Sequence, residues 1–145
     1  RITKDYAVIL PSIMKRLLTI FVIAFILNSV WENFHSFLYV NYMHGQITEF
    51  ILLRAALADA IMITIIALPF VLLPVMKKYS WIIIPIGFVL AVYIELWALN
   101  TERWTYHGYM PIIPLFSVGL TPAIQLGILG YFSFKIQEFV LGQRK

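Results

Sequence analysis

Long apolar runs bounded by charge, glycine or proline constrain this chain more than any other feature. About 20 apolar helical residues cross a hydrocarbon core of about 30 Å, and four segments reach that length: residues 17–40, 51–76, 81–100 and a last one ending near 141. They predict an all-α fold, a polytopic transmembrane four-helix bundle forming one domain over residues 1–145, with 1–16 as a cytoplasmic tail. Composition agrees, with 61% hydrophobic and 12% charged residues, where an ordinary soluble domain carries about 25% charge. A soluble globular domain is thereby excluded. The chain has no cysteine, which removes disulfides, Cys-ligated zinc, iron–sulfur clusters and thiol catalysis. Its net charge of +4 is dispersed at segment ends, so it forms no basic face and nucleic acid is not an expected partner.

Charge placement predicts orientation, because short cytoplasmic loops concentrate Lys and Arg. With four crossings and both termini inside, Arg1, Lys4, Lys15, Arg16, Lys77, Lys78, Lys135, Arg144 and Lys145 fall on the cytoplasmic side, and only Arg54 and Arg103 fall outside. The chain opens with Arg1, whereas Met14-Lys15-Arg16 before an apolar run reads as a bacterial start, so residues 1–13 read as an upstream extension. No small-x-small cleavage site follows, and the first helix is expected to stay uncleaved.

The start of the last helix has two readings, since Pro111, Pro114, Gly119 and Pro122 crowd one stretch and each proline removes a backbone donor. Either the helix starts near residue 112, or Thr121 caps a helix with Pro122 in its first turn. The second is favoured and leaves Met110 to Leu120 as an outer-side Pro-rich lid or re-entrant segment, tolerated at membrane depth where protein or a wet cavity covers it.

Ionisable groups inside a bilayer are costly and mark function, and here they share one depth. Glu32 and His35 lie about 22 Å along the first span from Leu17, Asp59 about 12 Å into the second, and Glu95 about 21 Å into the third at 1.5 Å per helical residue. All fall in the outer half. Asn28, Glu32, His35 and Tyr39 are spaced by four, three and four residues, which places them on one inward face. Ala55, Ala56, Ala58 and Ala60 around Asp59, with Gly127 and Gly130 in the last span, permit close helix approach. Gln125 joins the polar layer if the last helix starts near Pro122.

The sharpest motif is Trp31-Glu32-Asn33-Phe34-His35, because Glu and His three apart on a helix can share a proton or bind one metal. Glu32, His35, Asp59 and Glu95 are thus the candidate catalytic residues and equally the candidate ligands of a divalent metal, the one cofactor considered. The plain alternative is a Glu32–His35 hydrogen bond that holds helices together. Asp59 also reads as half of an ion pair with Arg54 or Arg103. A second cluster runs from Glu95 to Tyr106, where Arg103 can grip an anionic head group through its planar fork and Trp97, Trp104 and Tyr106 can line an apolar ligand. Against this stands an ordinary interfacial aromatic belt with Glu102 and Arg103 solvated. Asn28, Tyr39, Trp97, Glu102, Arg103, Trp104, Tyr106 and Gln125 are the candidate ligand-binding residues. No P-loop, dinucleotide-binding glycine fingerprint, nucleophile elbow or zinc helix is present.

Glu102-Arg103-Trp104-Thr105-Tyr106, Met110-Pro111 and Gly119-Leu120-Thr121-Pro122-Ala123-Ile124-Gln125, together with Trp31-Glu32, Leu38-Tyr39 and Asp59 among small neighbours, resemble small bacterial four-helix integral membrane proteins. The resemblance implies a bacterial cytoplasmic membrane and carries no activity.

The leading expectation is a membrane enzyme or binding protein with an outer-leaflet polar pocket for a lipid or isoprenoid-like molecule, using acid/base or metal-assisted chemistry. Membrane lipids are the expected partners, with a membrane-protein partner or a homo-oligomer as further candidates. The second expectation is a non-enzymatic accessory or assembly subunit of a larger membrane complex. Proton or cation transport is the third, opposed by an inner half that holds no ionisable side chain between Leu17 and Leu27, Leu68 and Met76, or Ile82 and Ala91.

Overall fold

A computed structural model describes residues 2–142, with side chains from residue 9 onward. Arg1, Arg144, Lys145 and the Lys4 side chain, which enter the charge argument, lie outside the described residues. Four helices dominate: α1 (Ile2–His35), α2 (Glu49–Leu72), α3 (Ile83–Asn100) and α4 (Leu120–Gly142). The described part of the 1–16 tail is helical and continuous with the first apolar run, and α1 ends at His35, where a 3-10 turn over Ser36–Leu38 begins.

Three segments are long and apolar enough to cross a membrane, Ile9–Leu38, Glu49–Leu72 and Pro74–Asn100. Helix α4 falls outside that set and is instead the most enclosed, burying Ala123, Gln125, Leu126, Gly127, Gly130, Ser133, Phe134 and Gln137. Its polar and small residues meet other helices. By contrast, Leu18, Val22, Ile26 and Val30 form an exposed stripe on α1, and Leu53, Leu57, Ile61 and Ile65 form another on α2. Apolar stripes of this extent exceed what a monomer keeps in water and suit a lipid solvent.

Inward positions recur at helical spacing. Helix α1 contributes Ile20, Ala24, Asn28 and Glu32, α2 contributes Ala56, Ala60, Ile63 and Ala67, and α3 contributes Ile83, Gly87, Ala91 and Glu95. Helices α3 and α4 touch backbone to backbone at Gly87 and Gly127, where a Cβ on either glycine would overlap the other helix's main chain. Gly130 faces Ile83 across the same seam.

The loops depart from an all-helical reading. The α1–α2 connection contains β1 (Tyr39–Tyr42) and the α3–α4 connection contains β2 (Trp104–Tyr106), and these pair antiparallel with Tyr39 opposite Tyr106 and Tyr42 opposite Trp104. A further small hairpin joins β3 (Ile112–Ile113) to β4 (Val118–Gly119). The Pro-rich stretch therefore satisfies its backbone partly by strand pairing, and α4 starts at Leu120 with Pro122 in its first turn. The helix thus starts close to Pro122, as favoured, but Thr121 lies inside it with its hydroxyl 3.5 Å from Met110 Sδ and does not cap it. The α2–α3 connection is a 3-10 segment over Pro74–Ile82 with a break at Tyr79.

Candidate functional site

Where α1, α2, α3 and α4 converge beneath the β1–β2 ribbon, a pocket of about 330 Å³ opens. This is the lower end of the size range that holds small molecules. Glu32, His35, Asp59, Glu95 and Gln125 line its polar part, and Ile51, Leu52, Met62, Ala91, Ile94 and Leu126 supply apolar walls. The ionisable layer expected from helical depth is thus assembled in one place, because the inward face of each helix reaches the same level.

Gln125 organises the layer. Its Nε2 lies 2.9 Å from Asn28 Oδ1, 2.6 Å from Glu32 Oε1 and 2.8 Å from Asp59 Oδ2. A carboxamide nitrogen carries two hydrogens, so the three acceptors must share them. Asn28 is fully buried and donates its amide back to Ala24 O at 2.8 Å. It acts as a strut behind the pocket and is not among the pocket-lining residues. Glu32 Oε2 faces His35 Nε2 at 3.3 Å, while His35 Nδ1 is buried without a partner among the described residues.

Glu95 is held separately. Its Oε2 accepts from Trp104 Nε1 at 3.2 Å and from the Tyr106 hydroxyl, whose oxygen accepts in turn from Gly119 N at 2.9 Å. No described donor bonds Oε1. Tyr106 stands behind Glu95 and outside the pocket lining. Burial first, and then its bond to Glu95, raise the Tyr106 phenol above its ordinary range. Trp31, His35, Tyr39 and Trp104 follow one another edge to face with ring centroids 5.3 to 6.2 Å apart, forming an aromatic wall.

Three ligand candidates, Trp97, Glu102 and Arg103, turn elsewhere. The Arg103 guanidinium lies over the Trp97 ring at 4.4 Å, and Trp97 is 44% exposed, so this pair faces outward. The cause is the end of α3: Arg103 N bonds Ala98 O and Glu102 N bonds Leu99 O, with Glu102 at φ 53°. This is the Schellman arrangement, in which the left-handed residue is usually Gly. Glu102 is exposed, and its backbone closes the helix rather than its carboxylate entering the pocket. The cation that does line the pocket is Arg54, with Tyr42, Asn41 and Ser36 beside it. Sequence reasoning weighed Arg54 only as a partner for Asp59, and Asp59 instead meets Gln125. The available signal was the spacing that puts Ile51, Ala55, Ala58 and Asp59 with Arg54 on neighbouring turns of α2.

Among the described residues no three His, Asp or Glu side chains are grouped to hold a metal ion. Of the four offered as metal ligands, Glu32 and Asp59 meet Gln125, His35 Nε2 meets Glu32, and Glu95 Oε2 meets Trp104 and Tyr106, while His35 Nδ1 and Glu95 Oε1 have no partner among the described residues. The chain matches no protein-family model, no curated protein and no solved structure.

Proposed function

We propose that this is an integral protein of a bacterial cytoplasmic membrane, with both termini inside, whose outer-half pocket binds a lipid or isoprenoid-like molecule and performs acid/base chemistry on its polar end. The observation that carries the reading is the convergence of Glu32, His35, Asp59 and Glu95 on one pocket that also has apolar walls along Ile51, Leu52, Met62, Ala91, Ile94 and Leu126. An amphiphile matches such a lining: its tail replaces lipid contacts along Ile51, Met62 and Ile94 while its polar end meets the carboxyl layer. Three carboxyl groups and one arginine, Arg54, disfavour a diphosphate and favour a hydroxyl or amine that donates hydrogen bonds. In this scheme Glu95 exchanges a proton through Oε1, and the Glu32–His35 pair shuttles it.

An apolar layer formed by Ile20, Ile63, Ala67, Phe70, Ile83 and Phe134 lies along the bundle interior away from the pocket. It supports a closed ligand site over a transport path. The test is mass spectrometry of lipids retained by detergent-purified protein, with cell lipid composition measured in parallel, for wild type, Glu32→Gln, His35→Ala and Glu95→Gln. A specific amphiphile retained by the wild type, and retained or processed differently by the variants, is expected. Correctly folded variants with unchanged lipid binding and unchanged cell lipids would overturn the proposal.

A further inference from the structure

At the other end of the bundle, where the first half of α1 meets the α2–α3 connection and the end of α4, lies a second cavity of about 340 Å³. Lys15, Arg16 and Lys77 line it together with Gln137 and one acid, Glu138. Glu138 sits between two lysines, with Oε2 accepting from Lys135 Nζ at 3.0 Å and Oε1 within ion-pair distance of Lys77 Nζ at 3.1 Å but without a hydrogen bond among the described residues. Lys15 and Arg16 thus face the cavity without a carboxylate of their own among the described residues. Arg16 is half-buried, and its only described bond is a long one, from Nη1 to Val71 O at 3.4 Å. Most of its guanidinium donors have no partner among the described residues.

Gln137 makes this a built site rather than a scatter of surface charge. It is 2% exposed, lines the cavity, and its Oε1 has no partner among the described residues. Native proteins rarely leave a buried carboxamide unpaired, and its two ends exchange by rotation about the terminal torsion. With the amide turned so that Nε2 takes the unpartnered position, a ligand oxygen entering the cavity would accept its N–H.

We infer that this cavity binds a phosphate-type oxyanion, with Arg16 as the planar fork, Lys15 and Lys77 as flanking charges and Gln137 as the neutral donor. Guanidinium geometry matches phosphate, and basic pockets between transmembrane helices at the cytoplasmic surface suit acidic lipid head groups. The site is independent of the carboxyl-lined pocket and holds whether or not that pocket is catalytic.

The experiment is native mass spectrometry and calorimetry on the full chain in detergent, titrated with phosphatidylglycerol, with phosphatidylcholine and with inorganic phosphate. Phosphatidylglycerol should bind wild type more tightly than phosphatidylcholine. Arg16→Gln/Lys77→Gln should weaken it by about thirtyfold, about fivefold for each cation. Lys15→Gln, an exposed change that leaves the helix intact, should weaken it by about fivefold and guards against misfolding of the double variant. Lys78→Gln, whose cation sits over the Tyr79 ring outside the cavity, should bind as wild type does. Displacement of the lipid by inorganic phosphate assigns the site to phosphate from any source, and its absence assigns it to the lipid head group; both support the oxyanion site. Equal affinity of phosphatidylglycerol for wild type and Arg16→Gln/Lys77→Gln, or equal loss in Lys78→Gln, overturns it.

Discussion

The Gln125 amide nitrogen on α4 donates to Glu32 Oε1 on α1 at 2.6 Å, and the same nitrogen holds Asp59 of α2 at 2.8 Å. One neutral side chain therefore keeps two carboxyl groups together in the bundle interior. Gln125→Leu removes that donor and leaves buried acceptors unpaired, at about 1–3 kcal/mol for each stranded group. A clear drop in the detergent melting temperature is expected. Asp59→Asn should restore part of it, because its amide can donate to Glu32. A double variant no more stable than Gln125→Leu alone would show that the bridge is not what holds the cluster.

Arg54 and Arg103 separate the pocket from the membrane-surface belt. Arg54 lines the pocket, and Arg103 lies over Trp97 outside it. Arg54→Gln should change the amount or identity of the co-purified amphiphile, whereas Arg103→Gln should leave it alone and cost at most about 1 kcal/mol of stability through the lost cation–π contact. The opposite pattern in lipid mass spectra would restore the head-group role that sequence reasoning assigned to Arg103.

Glu102 adopts φ 53° at the end of α3, a conformation that costs a non-glycine residue about 1–2 kcal/mol. Glu102→Gly should raise the melting temperature, by about 1 kcal/mol of added stability, and leave ligand retention unchanged. Loss of retention would mean that the Glu102 carboxylate, and not its backbone, is what matters.

Tyr106 links pH to stability. Its phenol titrates above the ordinary value in the folded protein, raised by burial and by its bond to Glu95. The unfolded phenol titrates near pH 10, so the contribution of Tyr106 is complete below about pH 10 and is lost as pH rises toward the folded value. Melting temperature followed across alkaline pH should fall more steeply for wild type than for Tyr106→Phe. Parallel slopes would remove Tyr106 from the account.

Much of this molecule is readable in the chain itself. The apolar runs predict helices, since a backbone in lipid must satisfy its own hydrogen bonds. The spacing of Asn28, Glu32 and His35 predicts a shared inward face, and all three are buried. Tyr39 reaches the same wall by a different route, from strand β1 beyond the helix end, because α1 stops at His35. Periodicity is a property of one helix and survives whatever surrounds it.

Partnership is not. That Gln125 would meet Glu32 and Asp59 together depends on how three helices rotate and cross, which the Gly87–Gly127 contact helps to set on α3 and α4. That Arg103 would leave the pocket depends on one left-handed residue at Glu102, and that Tyr106 would stand behind Glu95 depends on two distant loops pairing as β1 and β2. By itself the sequence determined which residues are costly to bury and at what depth each helix carries them. Only the tertiary structure decided which of them touch, because contacts between distant segments are selected by packing and hydrogen-bond satisfaction across the whole bundle rather than by the local repeat of any one helix.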